Sequence, residues 1–223
     1  MEEQNIYAQG QVILIDKPLE WTSFDVVNKL KHKVNAKIGH AGTLDPLATG
    51  LLIICTGKMT KQIDGYQGQE KEYTGTITLG ATTPTFDLES APENFKDTSH
   101  LTPEMIHAAT AQFTGAIAQF PPIHSAIKQK GKPIYLAARK GIEVKVEARN
   151  VTISVFEITK IEMPIVHFRV VCSKGTYIRS LANDFGAALG VGGHLSSLIR
   201  TRIGEFKLED AYSLDGFLEK FKV

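Results

Sequence analysis

Residues 39–57, GHAGTLDPLATGLLIICTG, constrain the fold of this chain more than any other segment. The second half is a continuous apolar run of the kind that forms a strand. The first half is punctuated by glycines and by Pro46, which disfavours the α-helical conformation at Asp45. The segment therefore predicts a shaped loop that holds one carboxylate in a fixed pose at the edge of a sheet.

The chain as a whole has the composition of an ordinary globular protein. Its 223 residues, 43% of them hydrophobic, suffice for one substantial core or for two small subdomains that share a sheet. The apolar runs are too short to span a bilayer, and the N-terminus lacks the pattern of an export signal. Cys55 and Cys172 lie in apolar strand-like runs, so we expect buried free thiols, a cytoplasmic location and no membrane partner.

Charge is distributed unevenly along a chain whose net charge is only +1. Basic residues collect at 17–37 and 128–149, and acidic residues collect at 87–104. Such clusters are typical either of solvated surfaces or of patches that contact phosphates, and charge alone favours the solvated surface.

Hydrophobic periodicity predicts an α+β fold, because strands and helices are mixed without regular βαβ units. Strands are expected at 11–18, 51–57, 71–80, 151–163 and 165–173. Helices are expected at 22–33, 58–67, 102–113, 133–140 and from 176 onward. We expect residues 192–223 to form a helix, a basic turn, a short strand and a last helix, in that order.

Two of the expected helices carry specific signals. Thr22 and Asp25 have the spacing of a capping box, and the apolar stripe that follows is Phe24, Val27 and Leu30. In the helix after residue 176, the predicted buried stripe is Ile178, Leu181, Ala182, Phe185 and Leu189.

Asp45 is the first candidate for chemistry, although an Asp-Pro pair after glycines is also typical of a plain turn. The histidines and cysteines have no metal-ligand spacing, and the chain contains no Walker sequence, dinucleotide-binding fingerprint or nucleophile elbow. If the chain is an enzyme, a lone carboxylate acting as nucleophile or base is what remains, without metal or cofactor.

Arg179 and Tyr73 are weaker candidates from the residues alone. Arg179 falls in the opening turn of the helix begun by Thr176 and Tyr177, where the helix dipole disfavours a cation and a nearby anion would favour one. Pairing with Asp45 would keep that carboxylate ionised. Tyr73 lies near the start of an alternating strand, where a core position is the simpler interpretation, and His40 and Lys17 are equally ordinary when taken singly.

Taken together, six segments resemble the motifs of the TruB-type tRNA pseudouridine synthases, in order and from about residue 13 to residue 206. They are listed here as they stand in the chain: LIDKPLEWTSFDVVNKLK, GHAGTLDPLATGLLIICTGKMTK, KEYTGTITLG, QFPPIHSAIKQKGKPIYLAARKG, GTYIRSLANDFG and HLSSLIRTRIGEF. The resemblance implies the pseudouridine synthase fold, with a central mixed sheet flanked by helices. It also implies an isomerase that converts uridine 55 in the tRNA T loop to pseudouridine.

The same resemblance assigns roles to single residues. Asp45 falls on the catalytic aspartate, Tyr73 on the tyrosine that stacks on the target base, and Arg179 on the arginine paired with the aspartate. The remaining positions fall on residues that support the site or contact the substrate: Lys17, His40, Tyr177 and Leu198.

The basic segment at 119–149 falls on the family's thumb insertion, which clamps the T stem-loop, and Lys128, Lys130 and Lys132 are its expected RNA contacts. The resemblance implies no cofactor and suggests a monomer that needs no protein partner. Because little sequence follows the last motif, we expect one catalytic domain over residues 1–223 and no C-terminal RNA-binding PUA domain.

Four positions depart from the family pattern: Glu20, Ala41, Pro84 and His124. They affect loop geometry and RNA contacts more than the expected chemistry. Two other hypotheses stay open, a non-catalytic RNA-binding protein with this fold and a guide-RNA-dependent relative. The intact set of Asp45, Tyr73 and Arg179 argues against the first, and the absence of a PUA segment argues against the second.

Overall fold

A computed structural model of the protein describes residues 5–123, 125, 128–129, 132–133 and 146–221. The strands are β1 Val12–Lys17, β2 Ile38–Ala41, β3 Ala48–Thr56, β4 Lys71–Leu79, β5 Gly115–Gln119, β6 Lys128–Gln129, β7 Lys132–Pro133, β8 Arg149–Glu162, β9 Ile165–Cys172, β10 Gly193–Ile203, β11 Phe206–Lys207 and β12 Tyr212–Ser213. The α-helices are α1 Ile6–Gln9, α2 Ser23–Val34, α3 Ile63–Gly68, α4 Pro103–Ala109, α5 Ile178–Ala188 and α6 Leu214–Glu219. Short 3₁₀ helices cover Gly57–Gln62, Ala111–Phe113 and Leu208–Asp210.

The chain divides into two compact units, and the divisions fall within β4 and β10. The first unit comprises Met1–Thr74 and Leu198–Val223, and the second comprises Gly75–Ser197. Both contain strands and helices, and the pairing in the first is mixed, because β1 runs antiparallel to β3 whereas β10 runs parallel to it. The α+β prediction is therefore confirmed.

Strand β3 is the centre of the first unit, where the strand order is β12, β1, β3, β10, β4 and where β2 also pairs with β3. Its apolar run is covered on both faces. Leu52 and Ile54 pack with side chains of α2 and α6, whereas Leu51 and Ile53 belong to a separate cluster with Ile203. The uninterrupted run of apolar residues is thus explained by burial of alternate side chains on opposite faces.

In the second unit the strand order is β4, β9, β8, β5, with antiparallel pairs between β5 and β8 and between β8 and β9. Helix α5 packs through Phe185, whose ring lies 5.2 Å from that of Phe156 in an edge-to-face arrangement. Four residues of the predicted stripe of this helix are buried, and only Leu189 is partly exposed. This packing fixes the direction of the helix and hence the position of its first turn.

Several sequence predictions about single elements are confirmed. Helix α2 begins with the expected capping box, in which the Thr22 side chain accepts from the backbone of Asp25 while the Asp25 side chain accepts from the backbone of Thr22. A 3₁₀ helix and α3 cover the short helix expected at 58–67. Cys55 and Cys172 are buried free thiols.

Two predictions are wrong and one lies outside the described residues. Phe24 is 64% exposed, and Val26 takes its expected place in the core. The helix expected at the start of residues 192–223 is strand β10 instead. Of the helix expected at 133–140, residues 134–140 lie outside the described part, and Pro133 belongs to β7.

The helices in the described part of the chain all fall short of the length and hydrophobicity that spanning a membrane requires.

Candidate active site

Asp45 lies in the turn immediately before β3, where its side chain is half-buried. Its backbone carbonyl accepts a hydrogen bond of 3.0 Å from the Ala48 N–H, which closes the turn through Pro46. The backbone therefore forms the turn that an Asp-Pro pair favours. This turn leads into the first residue of β3, which is a central strand of the sheet and not an edge strand.

The residue before Asp45 is fixed by the start of helix α2. The Leu44 N–H donates to Ser23 Oγ at 2.9 Å, and the Ser23 hydroxyl lies 3.3 Å from the Leu44 carbonyl oxygen, to which it donates. Ser23 is buried, so water does not compete for these bonds. The first turn of α2 thus determines where the chain enters the turn at Asp45.

The residue after Asp45 is fixed by Lys17, at the end of β1. Lys17 is completely buried, and its Nζ donates to the carbonyl oxygens of Pro18, Trp21 and Pro46 at 2.9, 2.5 and 3.3 Å. Burial lowers the pKa of Lys17 to about 8, although the negative charge of Asp45 acts in the opposite direction. Lys17 therefore supports the Asp45 turn, which is the place that the motif resemblance gives it.

Glu20 explains one departure from the family pattern. Its N–H donates to the Pro46 carbonyl at 2.9 Å, and its φ of 66° lies in the left-handed region. Glycine adopts this conformation without steric cost, which accounts for its frequency at this position in the related motif. The turn is built here despite a glutamate, because Pro46 still receives its hydrogen bond.

Arg200 in β10 contacts both ends of the same segment. Its Nε donates to the Leu51 carbonyl at 2.8 Å, and one Nη donates to the Gly42 carbonyl at 3.0 Å. The guanidinium therefore bridges residues 42 and 51, and Asp45 lies between them.

His40, Leu198 and Tyr73 lie on three different strands of the first unit. His40 is half-buried on β2, and burial, with a smaller contribution from the positive charge of Arg200, lowers its pKa. Leu198 is the register partner of Ala48, three residues after Asp45, and Tyr73 is 8% exposed on β4, the next strand beyond β10. All of these residues belong to one unit. Lys17 and Leu198 pair with Gly50 and Ala48 at the start of β3, whereas His40 pairs with Ile54 near its end.

The second unit contains Arg179 and Tyr177 at the start of α5. Tyr177 is the N-cap residue, and its N–H and carbonyl both bond to the Gln119 side-chain amide, at 2.8 and 3.0 Å. Arg179 follows in the first turn and is 5% exposed. The prediction that Arg179 occupies the opening turn of a helix is confirmed.

Arg179 is held by a loop that follows β4. One Nη lies 3.5 Å from Asp87 Oδ2, and the same nitrogen donates to the Thr85 carbonyl at 3.2 Å. Asp87 is 4% exposed, and its other carboxylate oxygen accepts from the Glu89 N–H at 3.0 Å. A buried anion thus lies near the cation that the helix dipole disfavours. The predicted pairing of Arg179 with Asp45 stays a prediction.

Two of the three lysines expected in the thumb, Lys128 and Lys132, lie on the paired strands β6 and β7. Backbone pairing places Lys128 opposite Pro133 and Gln129 opposite Lys132, and Lys130 lies outside the described residues. His124, one of the departures from the family motifs, also lies outside them.

In the described ranges no group of histidine, cysteine and acidic side chains has the arrangement of a metal site. The groups that hold the segment around Asp45 are the cationic side chains of Lys17 and Arg200, the Ser23 hydroxyl and the backbone carbonyls that they contact.

Sequence reasoning missed three supporting residues: Ser23, Asp87 and Arg200. Each lies inside a quoted motif or beside a noted departure, so a signal was present. Ser23 follows Thr22 in the first motif, Asp87 ends the loop that Pro84 alters, and Arg200 belongs to the last motif. Their partners are distant in sequence, however, so the motifs alone did not indicate what the side chains hold.

Comparison with known proteins gives a match over nearly the whole chain. Residues 28–178 match the family model described as TruB family pseudouridylate synthase (N terminal domain). Residues 179–222 match the tRNA pseudouridylate synthase B C-terminal domain.

Curated relatives agree with these matches. The protein named tRNA pseudouridine synthase B from Flavobacterium johnsoniae is 54% identical over 224 residues, which cover 97% of this chain and 98% of the relative. The protein of the same name from Phocaeicola vulgatus is 50% identical and covers 96% of this chain and 94% of its own.

Solved structures show the same fold. A chain in the structure titled "Crystal Structure of a Cbf5-Nop10-Gar1 Complex" has a TM-score of 0.74 and 33% identity over 96% of this chain. A chain in the "Structure of H/ACA RNP bound to a substrate RNA containing 2'-deoxyuridine" has a TM-score of 0.72 and 30% identity. The present chain spans about half the length of each, 54%.

Proposed function

Because this chain belongs to the TruB family of pseudouridylate synthases, a family of isomerases, we propose that it converts uridine 55 in the T loop of tRNA to pseudouridine, with Asp45 as the nucleophile. The tRNA substrate is supported by the names of relatives whose whole length the chain nearly matches. The T-loop position is supported by the six motifs in the sequence. The observation that carries the proposal is the hydrogen bonding that fixes the turn on both sides of Asp45.

The reaction exchanges one bond of the uridine for another. The bond between N1 of the base and C1′ of the ribose breaks, the base turns, and C5 becomes bonded to C1′. The proton on C5 is lost to solvent, and N1 gains one, so no oxidant, reductant or group donor is consumed. One carboxylate suffices, by attack at C6 of the base, by attack at C1′, or by removal of the C2′ proton.

A fixed carboxylate suits this chemistry because the target base must first leave the loop stack. Leu44 is bonded to Ser23, and Pro46 is bonded to Lys17 and Glu20, so the position of Asp45 is set before RNA binds. Preorganisation of a reacting group reduces the entropy that must be lost on the way to the transition state. We infer that the turn presents the carboxylate to a flipped-out uridine.

Substrate contacts divide between aromatic, apolar and basic side chains. Tyr73 supplies the ring on which an unstacked base can stack, and Leu198 adds an apolar contact. His40 contacts the RNA loop from which the base is extruded, and Tyr177 lies beside Arg179 at the helix start. Lys128, Lys130 and Lys132 bind phosphates of the T stem, which positions the RNA without reading its sequence.

The proposal is tested by tritium release from C5-labelled uridine in a tRNA transcript. The native protein should release one tritium for each uridine that is converted, and Asp45→Asn should release none. Asp16→Asn is the matched control, because Asp16 is exposed, and it should release as much tritium as the native protein. Arg179→Lys should lose more in single-turnover rate than in RNA affinity, because lysine cannot replace the fork of a guanidinium.

Each part of the proposal has an outcome that would contradict it. Equal release by the native protein and by Asp45→Asn would reject Asp45 as the nucleophile. Release from a transcript in which uridine 55 is replaced by cytidine would reject that position. No release by either protein, together with retained RNA binding, would favour the non-catalytic alternative.

A further inference from the structure

Arg200 is the largest fully buried side chain in the described part of the protein. It is 1% exposed, and its hydrogen bonds run to two backbone carbonyls, those of Leu51 and Gly42. Asp45 lies between these two residues in the chain. A single side chain therefore joins the entrance of the Asp45 turn to the strand that leaves it.

Packing alone does not explain why an arginine occupies this buried position. Burial of a charged side chain is costly unless its donors are satisfied, and well-packed apolar residues are often equally stabilising at such positions. Among the described residues Arg200 forms no ion pair, and its Nε and Nη donate to carbonyls only. What the guanidinium supplies is a rigid planar fork that fixes two separate points of the backbone relative to each other.

The backbone around Arg200 is built to bring the two segments together. Arg200 is the register partner of Gly50 in the parallel pair of β10 and β3. A Cβ atom on Gly50 would lie 2.4 Å from the Arg200 carbonyl oxygen, so only glycine permits this approach. Gly42, with a φ of 87°, turns its carbonyl toward the guanidinium. Arg200 thus lies close to residues 42–51 at both ends of that segment.

Arg202 lies two residues further along β10 and provides a comparison. Its Nη atoms donate to the Gly204 carbonyl at 2.9 Å and to Glu70 Oε1 at 2.9 Å. These partners lie outside the Asp45 segment. Arg200 and Arg202 are thus two arginines of one strand, of which only Arg200 reaches the candidate nucleophile's turn.

We propose that Arg200 is a positioning residue for catalysis, which fixes the pose of the Asp45 carboxylate by holding both ends of residues 42–51. The inference rests on the proposed function, since it assigns Arg200 to the same reaction. Arg200 does not touch the uridine and acts through the backbone that carries Asp45. The pKa of His40 on β2 is lowered mainly by burial and to a smaller extent by the positive charge of Arg200.

The test compares Arg200→Met and Arg200→Lys with the control Arg202→Gln. Arg200→Met should lower the single-turnover rate about 100-fold, as expected when a reacting group moves by about 1 Å. RNA affinity should change less than about threefold, since the substitution leaves every side chain of residues 42–51 in place. Arg200→Lys should react about tenfold faster than Arg200→Met, because an ammonium can reach one carbonyl but not both. Arg202→Gln should keep the native rate.

Two outcomes would overturn the proposal. A native rate in Arg200→Met, accompanied by a lower melting temperature, would make Arg200 a purely structural residue. Equal losses of rate and RNA affinity would make it a residue for RNA binding.

A measurement that needs no RNA separates this proposal from the proposed function. Hydrogen exchange of the Ala48 amide reports on the turn, because this N–H donates to the Asp45 carbonyl. Exchange should be faster in Arg200→Met than in Arg202→Gln under conditions where both variants have the same global stability. Equal exchange would reject the positioning role even if the native protein is active. If the native protein is inactive but the exchange differs, only the catalytic part of the inference fails.

Discussion

At the scale of single residues, the Asp45 turn is held by donors whose partners are backbone carbonyls. Lys17 donates from its ammonium to three of them, which satisfies the hydrogen-bonding demand of a charge that is completely buried. The cost of that burial is visible in the pKa of Lys17, which is lowered to about 8. Lys17, which supports the Asp45 turn, is therefore also a site where stability depends on pH.

The first prediction concerns this dependence. Between pH 8 and 10.5 the unfolded chain binds a proton at Lys17 that the folded chain has released, so a rise in pH favours the folded state. The free energy of unfolding of the native protein, minus that of Lys17→Met, should therefore increase across this window by up to about 3 kcal/mol. Urea unfolding at several pH values measures the difference, with the exposed Lys29→Met as control. A constant difference would contradict the lowered pKa.

The sequence points to the candidate reactive residues more clearly than to the residues that hold them. Asp45, Tyr73 and Arg179 are candidates because their motifs are distinctive and their side chains have chemistry of their own. Ser23 and Arg200 act on the carbonyls or amides of Leu44, Gly42 and Leu51, and a backbone group leaves no signature in the sequence of its partner. Their role became visible only when the contacts were known.

At the scale of elements, strand β10 shows where periodicity fails. Leu195, Leu198 and Ile199 have the spacing of one helical face, yet the segment pairs with β3 as a parallel strand. The pairing partner lies about 150 residues earlier in the chain, so local pattern carries no information about it. By contrast, α2 was predicted to within a residue, because a capping box is a local signal.

The second prediction concerns the same pair of strands. Gly50 has a φ of 99°, and a Cβ atom there would overlap the Arg200 backbone. Gly50→Ala should therefore cost more than about 3 kcal/mol in the free energy of unfolding, through the left-handed strain and the loss of strand pairing. Gly65→Ala in α3 is the matched control, since no atom lies within 4 Å of its added methyl, and it should be neutral or slightly stabilising. Equal effects of both substitutions in urea unfolding would refute the close approach.

At the scale of the whole molecule, the fold and the family were predictable from sequence, although the net charge of +1 gives no hint of an RNA substrate. The hint lies in distribution, since basic residues collect in the segment that resembles a thumb. Lys160 and Lys207, elsewhere in the chain, lie 2.7 and 3.2 Å from glutamate oxygens and are thus neutralised by neighbours. Local rather than total charge decides whether a protein can bind phosphates.

The third prediction compares the lysines of the thumb segment with Lys160 and Lys207. Replacement of Lys128, Lys130 and Lys132 by Gln should weaken tRNA binding and reduce the slope of log K against log salt by roughly 2 to 3, about one unit for each lost phosphate contact. Replacement of Lys160 and Lys207 by Gln should leave the slope unchanged. Filter binding between about 50 and 200 mM salt measures both. An unchanged slope in the triple variant would remove the thumb segment from the RNA interface.

The bond between Arg200 and Gly42 joins residues 158 positions apart, and it has a consequence for how the enzyme is made. A ribosome that has just finished the Asp45 turn must still add most of the protein before the arginine that fastens this turn exists. Nascent chains therefore carry the Asp45 turn for much of their synthesis without this support. The turn is expected to become fixed only after β10, which carries Arg200, has been synthesised and has left the ribosome.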